Sequence, residues 1–218
     1  MTDDEYGGVA SGYDLILSRP MRPIRRTIED LVRDCDGNIL DLCCGTGEQL
    51  RRLSDSGCRL TGVDLSPGML KEARRKSPSS ITYVEANAAT VDLPVNSYDR
   101  VIICFALHEK KSETATAIYN RAQQLLNAEG KVIIADYCIP RPSLVSRLMG
   151  TGLIPFIERM AGRSHYSHYR VWCEHGWLEG FLGKEQNPYI VSRHLAGCAA
   201  VALIDKQNSA AQTRGIQT

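Results

Sequence analysis

The chain of 218 residues has almost no net charge, formally +1. Nothing electrostatic therefore points to nucleic acid, whose binders carry a basic excess or stripe. It also lacks any run of about 18 apolar residues, the length that spans a bilayer, so no transmembrane segment is expected. The first residues, Met1 to Glu5, are acidic and hold no apolar signal core, which points to a cytoplasmic protein. The eight cysteines, at 35, 43, 44, 58, 104, 138, 173 and 198, contain no Cys-x-x-Cys pair. Metal sites and disulfide frameworks show paired spacings, so buried free thiols are expected. His165, His168 and His175 have no carboxylate at regular spacing, and no metal is expected.

The stretch Ile39-Leu40-Asp41-Leu42-Cys43-Cys44-Gly45-Thr46-Gly47-Glu48 organises what is present. An apolar strand meets an acid, then a turn with Gly45 and Gly47, then a helix start with Leu50 and Leu53. Such a unit cradles a cofactor at the carboxyl ends of parallel strands. A dinucleotide loop would carry a third glycine where Leu50 stands, and would not place Asp41 and Glu48 beside a diphosphate. The acidic flank suits a cation instead. Asp64 ends the second strand, Arg59 to Asp64, about twenty residues past the loop, the spacing at which a carboxylate accepts ribose hydroxyls. Ser66 and Pro67 read as the N-cap and first turn of the next helix.

Asp41-Leu42-Cys43-Cys44-Gly45-Thr46-Gly47 resembles the first motif of the class I S-adenosylmethionine-dependent methyltransferases, Asp-x-Gly-Cys-Gly-Thr-Gly, with Cys43 replacing a glycine. Val63-Asp64-Leu65-Ser66-Pro67-Gly68-Met69-Leu70 is similar to the second. The resemblance implies S-adenosylmethionine as cofactor and S-adenosylhomocysteine as product, with Leu65 and Met69 against the adenine, although Met69 could equally be core. It implies that Asn87, with Ala88, meets the adenine amino group, and that Cys104 lies among the cofactor contacts. Asp99 to His108 matches the fourth-strand pattern of small-molecule methyltransferases. This would bring His108 out at the strand end, facing the methyl group, as a base or an acceptor contact; a strand-end cap is the alternative. Tyr13-Asp14 is similar to a pair in segments that close over the cofactor, giving Tyr13 a lid role.

The strand and helix order predicts a doubly wound α/β sheet, mostly parallel, with helices on both faces. Strands are expected at 81–86, 97–105 and 131–137, and a closing hairpin at 189–195 and 198–204 gives seven strands with the last antiparallel. A single methyltransferase domain is expected over 1–204, with an N-terminal lid and helix over 1–36, the helix being periodic from Ile24, and a disordered tail over 205–218. Residues 138–170 break the regularity and are expected to form a helical substrate cap, with Tyr137, His168, Tyr169 and Arg170 as acceptor contacts; a homodimer surface is the alternative. The helix after it is expected over 171–182, ended by Gly183.

The layout looks closest to quinone-biosynthesis C-methyltransferases and phospholipid N-methyltransferases. The implied acceptor is small and partly apolar: a quinol, phenol, amine or lipid head group. A cofactor-binding regulator that transfers nothing and an NAD-dependent oxidoreductase are the competing readings.

Overall fold

The computed structural model describes residues 10–183 and 189–207, and the side chains of 19–183 and 190–207. Tyr6, the side chain of Tyr13 and the tail over 208–218 lie outside the described residues. The strands are β1 (Asn38–Leu42), β2 (Arg59–Asp64), β3 (Thr82–Glu85), β4 (Tyr98–Cys104), β5 (Leu126–Tyr137), β6 (Tyr189–His194) and β7 (Ala199–Asp205). They form one sheet in the order β3-β2-β1-β4-β5-β7-β6. The first five pair in parallel, and β7 runs antiparallel to both β5 and β6. This is the doubly wound, seven-stranded sheet with an antiparallel last strand that the sequence predicts.

The central strands are closed on both faces, so their sequences read as unbroken apolar runs. Ile39, Leu40, Leu42, Val101, Ile102, Ile103 and Val132 to Ala135 are all fully buried. Helix α1 (Ala10–Val32) buries Ile24, Ile28 and Val32, and touches β6 and β7. It starts well before Ile24 and runs through Pro20 and Pro23. The prolines and the weak periodicity ahead of them hide that first half from a sequence reading.

After β1 come the single-turn helix α2 (Glu48–Arg52) and α3 (Pro67–Lys76), where Ser66 Oγ accepts the Met69 N–H at 3.1 Å, the N-cap expected. Helix α4 (Ser112–Leu125) buries Ala115, Ile118, Ala122 and Leu125 against β4 and β5. Strand β5 begins at Leu126 rather than Lys131, because the expected turn at 127–130 stays extended, with Leu126 opposite Tyr98.

The region over 138–170 is helical, as expected: α5 (Leu144–Leu148), a π-turn (Met149–Leu153), α6 (Ile154–Met160) and α7 (Arg163–Glu174). The helix expected over 171–182 is instead the end of α7 and a separate α8 (Trp177–Leu182), divided where Gly176 and Trp177 take φ of 87° and 61°. Strand β7 reaches Asp205, and the Gln207 N–H donates to Gln123 Oε1 of α4, so residues 205–207 are part of the folded domain, not of a disordered tail.

Candidate functional site

Register brings the motif residues to one level. Leu42 pairs with Val63 and with Ile103, and Asp64 with Glu85. One residue beyond Leu42, then, Cys43, Asp64, Glu85 and Cys104 lie along a single rung at the carboxyl ends of four parallel strands, where ligands of open α/β sheets collect. A cavity of about 500 Å³ opens there. Asp41, Cys43, Gly45, Asp64, Leu65, Met69, Asn87, Ala88 and Cys104, nine residues singled out from the sequence, all line it.

The loop is held by the acid beyond it. Asp64 Oδ2 accepts the Gly45 N–H at 2.8 Å and Oδ1 accepts the Ser66 N–H at 2.9 Å. Asp64 therefore clamps the glycine turn to the start of α3, and keeps further lone pairs for a ligand. Gly45 has φ of 53° and open space where a Cβ would stand, so it keeps the cavity wall low. Gly47 serves packing instead, since a Cβ there would meet the Tyr83 hydroxyl at 2.1 Å. It permits close approach to β3 and is not brought to the cavity. Leu50, at the third-glycine position, is fully buried, and Gly62 on β2 makes room for it: a Cβ on Gly62 would lie 2.9 Å from Leu50.

At the cavity floor, Asp41 is 2 % exposed and its Oδ1 has no hydrogen-bond partner. Burial pushes its carboxyl up to about 7, the Arg25 charge opposes this, and Asp64 adds to it. Both ends of the buried Gln49 amide and Nε of Arg25 are likewise unpartnered, while the Arg25 guanidinium meets Glu48 at 3.4 Å. Buried polar groups are normally satisfied, so a run of unsatisfied ones along a cavity wall marks where a ligand supplies partners. Arg25, Gln49 and Met21, which also line it, carry no motif and escape a sequence reading; only their helical spacing relative to the core of α1 and α2 hints at a common face. Farther out, Leu65 is 58 % exposed, an apolar wall without cover. The Asn87 side-chain oxygen accepts the Ala89 N–H at 2.9 Å, leaving one lone pair for an adenine amino group.

The cysteines are free, but only Cys35, Cys138 and Cys198 are buried as expected; the other five are half-buried. Burial pushes the thiols of Cys43 and Cys104 up to about 12, so they serve as small apolar wall rather than as thiolates.

His108 departs from its expected place. It is buried and absent from the cavity lining, turned instead into the cap. Its Nδ1 lies 2.7 Å from Asp136 Oδ1 and its Nε2 3.6 Å from Glu158 Oε2. His165 completes the cluster, with Nδ1 at 2.8 Å from Glu158 and Nε2 at 2.7 Å from Glu109. Burial would lower both imidazoles, but the carboxylates outweigh it and raise His108 to about 10 and His165 to about 9. The same contacts hold Glu109 down at about 2 against its burial. Two imidazolium rings thus sit among Asp136, Glu158 and Glu109. His108, Glu158 and His165 each offer one ligand atom, all within 4.8 Å of one another, a spacing that would hold a cation only with both rings deprotonated. Pairing the histidines only with each other hides this cluster, because its carboxylate comes from α6.

Three of the expected acceptor contacts gather in the cap around His108 and Glu109 rather than at the cavity, and Arg170 lies apart. The Tyr137 hydroxyl donates to Glu158 at 2.8 Å, His168 Nδ1 lies 2.9 Å from the Glu109 carbonyl, and Tyr169 is core. Arg170 is exposed and pairs with Glu174. None of the four lines the cavity. Its cap-facing wall is made instead by Phe105, Glu109 and Lys110. Phe105 takes φ of 52° and its ring stands edge-on to Tyr137 at 5.1 Å.

Residues 39–130 match a family described as a methyltransferase domain. An uncharacterized methyltransferase of Bacillus cytotoxicus is 28 % identical over 131 residues, 60 % of this chain and 61 % of that protein. The chain thus aligns with about three fifths of the length of such relatives. A solved Haloferax volcanii complex, of the Trm112 methyltransferase activator with a methyltransferase, contains a chain with TM-score 0.63 and 15 % identity, covering 95 % of this chain and 100 % of that one. DhpI, solved with S-adenosylhomocysteine, gives 0.53 at 22 % identity, over 64 % and 71 %. The resemblance to class I S-adenosylmethionine-dependent methyltransferases drawn from the motifs therefore holds for the matched segment and for the fold.

Proposed function

We propose that the protein transfers the methyl group of S-adenosylmethionine to a small, partly apolar acceptor, releasing S-adenosylhomocysteine. The observation that carries this reading is the buried Asp41 carboxyl, its Oδ1 without a partner, on the wall of a cavity that also holds Arg25 and Gln49. An amino acid's ammonium and carboxylate would satisfy the acid and the two donors, and a sulfonium is welcome among Asp41, Glu48 and Glu109. A diphosphate would meet those three carboxylates and also Asp64 and Glu85 at the same wall. Asp64 would take the ribose hydroxyls, Leu65 and Met69 the adenine faces, and Asn87 with Ala88 its edge. Tyr13 keeps its proposed lid role.

The bound cofactor supplies an already electrophilic methyl carbon, so the protein mainly aligns the acceptor and excludes water. Phe105, Glu109 and Lys110 are the acceptor contacts on this reading, replacing Tyr137, His168, Tyr169 and Arg170. His108 acts one step removed. Asp136 Oδ2 accepts the N–H groups of Leu107 and His108, at 3.1 and 3.3 Å, while Oδ1 holds the His108 ring. His108 is thus a positioning residue that fixes the Phe105–Lys110 loop. Quinols, phenols, amines and lipid head groups are the acceptor classes to test.

Titration calorimetry with S-adenosylhomocysteine, with NADH as control, tests the cofactor. Saturable binding of the first and none of the second is expected; the reverse would overturn the reading. A labelled-methyl screen over the four acceptor classes then separates a transferase from a binder that transfers nothing.

A further inference from the structure

The segment over 144–160 is one continuous helical run in which α5, the π-turn and α6 follow without a break. Its buried row is Ser146, Gly150, Ile154 and Glu158, one residue every four. The opposite side carries Leu144, Val145, Leu148, Leu153, Phe156 and Met160, between 52 % and 74 % exposed. From Leu148 to Leu153 the step is five residues, across the π-turn in which the Ile154 N–H reaches the Met149 carbonyl. The wider turn keeps the apolar stripe on one side. With Ile139, seven of the ten exposed large hydrophobic residues among the described residues fall within 139–160. Scattered surface leucines need no explanation, but a contiguous patch of this kind does.

Charge says what covers it. Between 139 and 169 the chain carries Arg141, Arg147, Arg159 and Arg163, and a single acid, Glu158, while Arg170 just beyond is paired with the exposed Glu174. All four arginines are exposed and the acid is buried. The segment is net +3 in a chain whose total is +1, so the rest of the chain is net negative. An apolar stripe rimmed by arginines with no exposed acid matches an interfacial helix lying in an anionic headgroup layer.

We infer that the exposed face of residues 144–160, with Arg141, Arg147 and Arg163 at its rim, docks the protein onto an anionic lipid bilayer. The stripe sinks to the acyl boundary while the arginines meet lipid phosphates. The face belongs to the cap, which adjoins the cavity through the contact of His165 with Glu109 of the cavity wall, so docking would bring the cavity near acceptors that partition into lipid. Attachment itself does not depend on the methyl-transfer reading, since vesicle binding needs no methyl donor.

Co-sedimentation of the full chain with vesicles tests this, comparing phosphatidylcholine alone with phosphatidylcholine mixed with phosphatidylglycerol. Binding to the mixed vesicles, weakened by added salt, is expected, with little binding to neutral ones. Leu148→Glu with Phe156→Glu should lower the partition coefficient at least about tenfold, as should Arg147→Gln with Arg163→Gln. Both pairs are exposed, and unchanged circular dichroism and unchanged S-adenosylhomocysteine binding would show that fold and cavity are intact. Failure to sediment with either vesicle, equal binding to neutral vesicles, or equal binding by the variants would overturn the inference. So would a dimer in light scattering that Leu148→Glu dissolves, since a second copy would then be the occupant.

Discussion

The cradle at the ends of β1, β2 and β4 and the cap over 138–183 are built on different principles. The cradle is assembled from local devices: a glycine turn, an acid at a strand end, a capped helix start. Its ionisable groups are left partly unsatisfied, as Asp41 shows. The cap's polar centre joins residues far apart in sequence, Glu109, Asp136, Glu158 and His165 around His108, each pinned by a neighbour. A site that must receive a ligand keeps unmet partners along its wall, whereas the cap pairs its charges with one another and leaves single atoms such as the Tyr169 hydroxyl unmet.

The sharpest way to break this contrast is at Asp136. It is fully buried and holds the His108 ring together with the backbone N–H groups of Leu107, His108 and Tyr137. Asp136→Ala would strand a buried imidazolium and three donors, and should cost about 3–5 kcal/mol in urea unfolding. A cost under about 1 kcal/mol would show the cap to be loosely held.

At Asp41 the opposite is expected. Its folded pKa, about 7, lies above the ordinary carboxylate value of 3.8. Its contribution to stability is therefore full below 3.8 and lost as pH rises through 7, so the ionised acid destabilises the ligand-free protein. Asp41→Asn should raise ligand-free stability at alkaline pH by roughly 2 kcal/mol, while weakening S-adenosylhomocysteine by about 1.5–3 kcal/mol. Unchanged affinity in calorimetry would remove Asp41 from the site.

The cap has its own pH window. His108 and His165 are raised to about 10 and 9, so their contribution is full below the ordinary 6.5 and disappears as pH climbs through those values. Glu109, held down at about 2, contributes above its ordinary 4.5 and loses this as pH falls toward 2. Thermal melts should therefore show Tm falling from about pH 6.5 to about pH 10 and levelling off above it. A His165→Gln variant should show a shallower fall; an identical slope would mean that His165 does not titrate there.

The same division explains how much of the molecule is legible in its sequence. Asp41, Gly45, Asp64 and Ser66 stand at a turn or strand end of their own, so spacing and the motif resemblance locate them, and the resemblance points to Asn87. Register then carries them to one rung, which parallel pairing makes predictable. The place of His108 can be read but its direction cannot, because Asp136 and Glu158 decide which way the ring points. Arg170 is misplaced by a sequence reading because the buried face of a helix cannot be told when both sides are polar. Glu109 and Phe105 adjoin the strand-end motif, yet nothing local shows that they line the wall.

The smallest expected effect is at Cys43, where the motif ordinarily has glycine. Cys43 takes φ of 61°, a left-handed conformation that costs a side-chain-bearing residue about 1–2 kcal/mol. Cys43→Gly removes that strain, but it also frees the unfolded chain by up to about 1 kcal/mol and gives up a small half-buried thiol. The two sides nearly cancel, so a net stabilisation below about 1 kcal/mol is expected, with cofactor affinity unchanged or slightly better. Chemical unfolding of the single variant measures it. A loss above about 2 kcal/mol would mean that the thiol fills space the cradle needs, and the cradle would then be packed as closely as the cap.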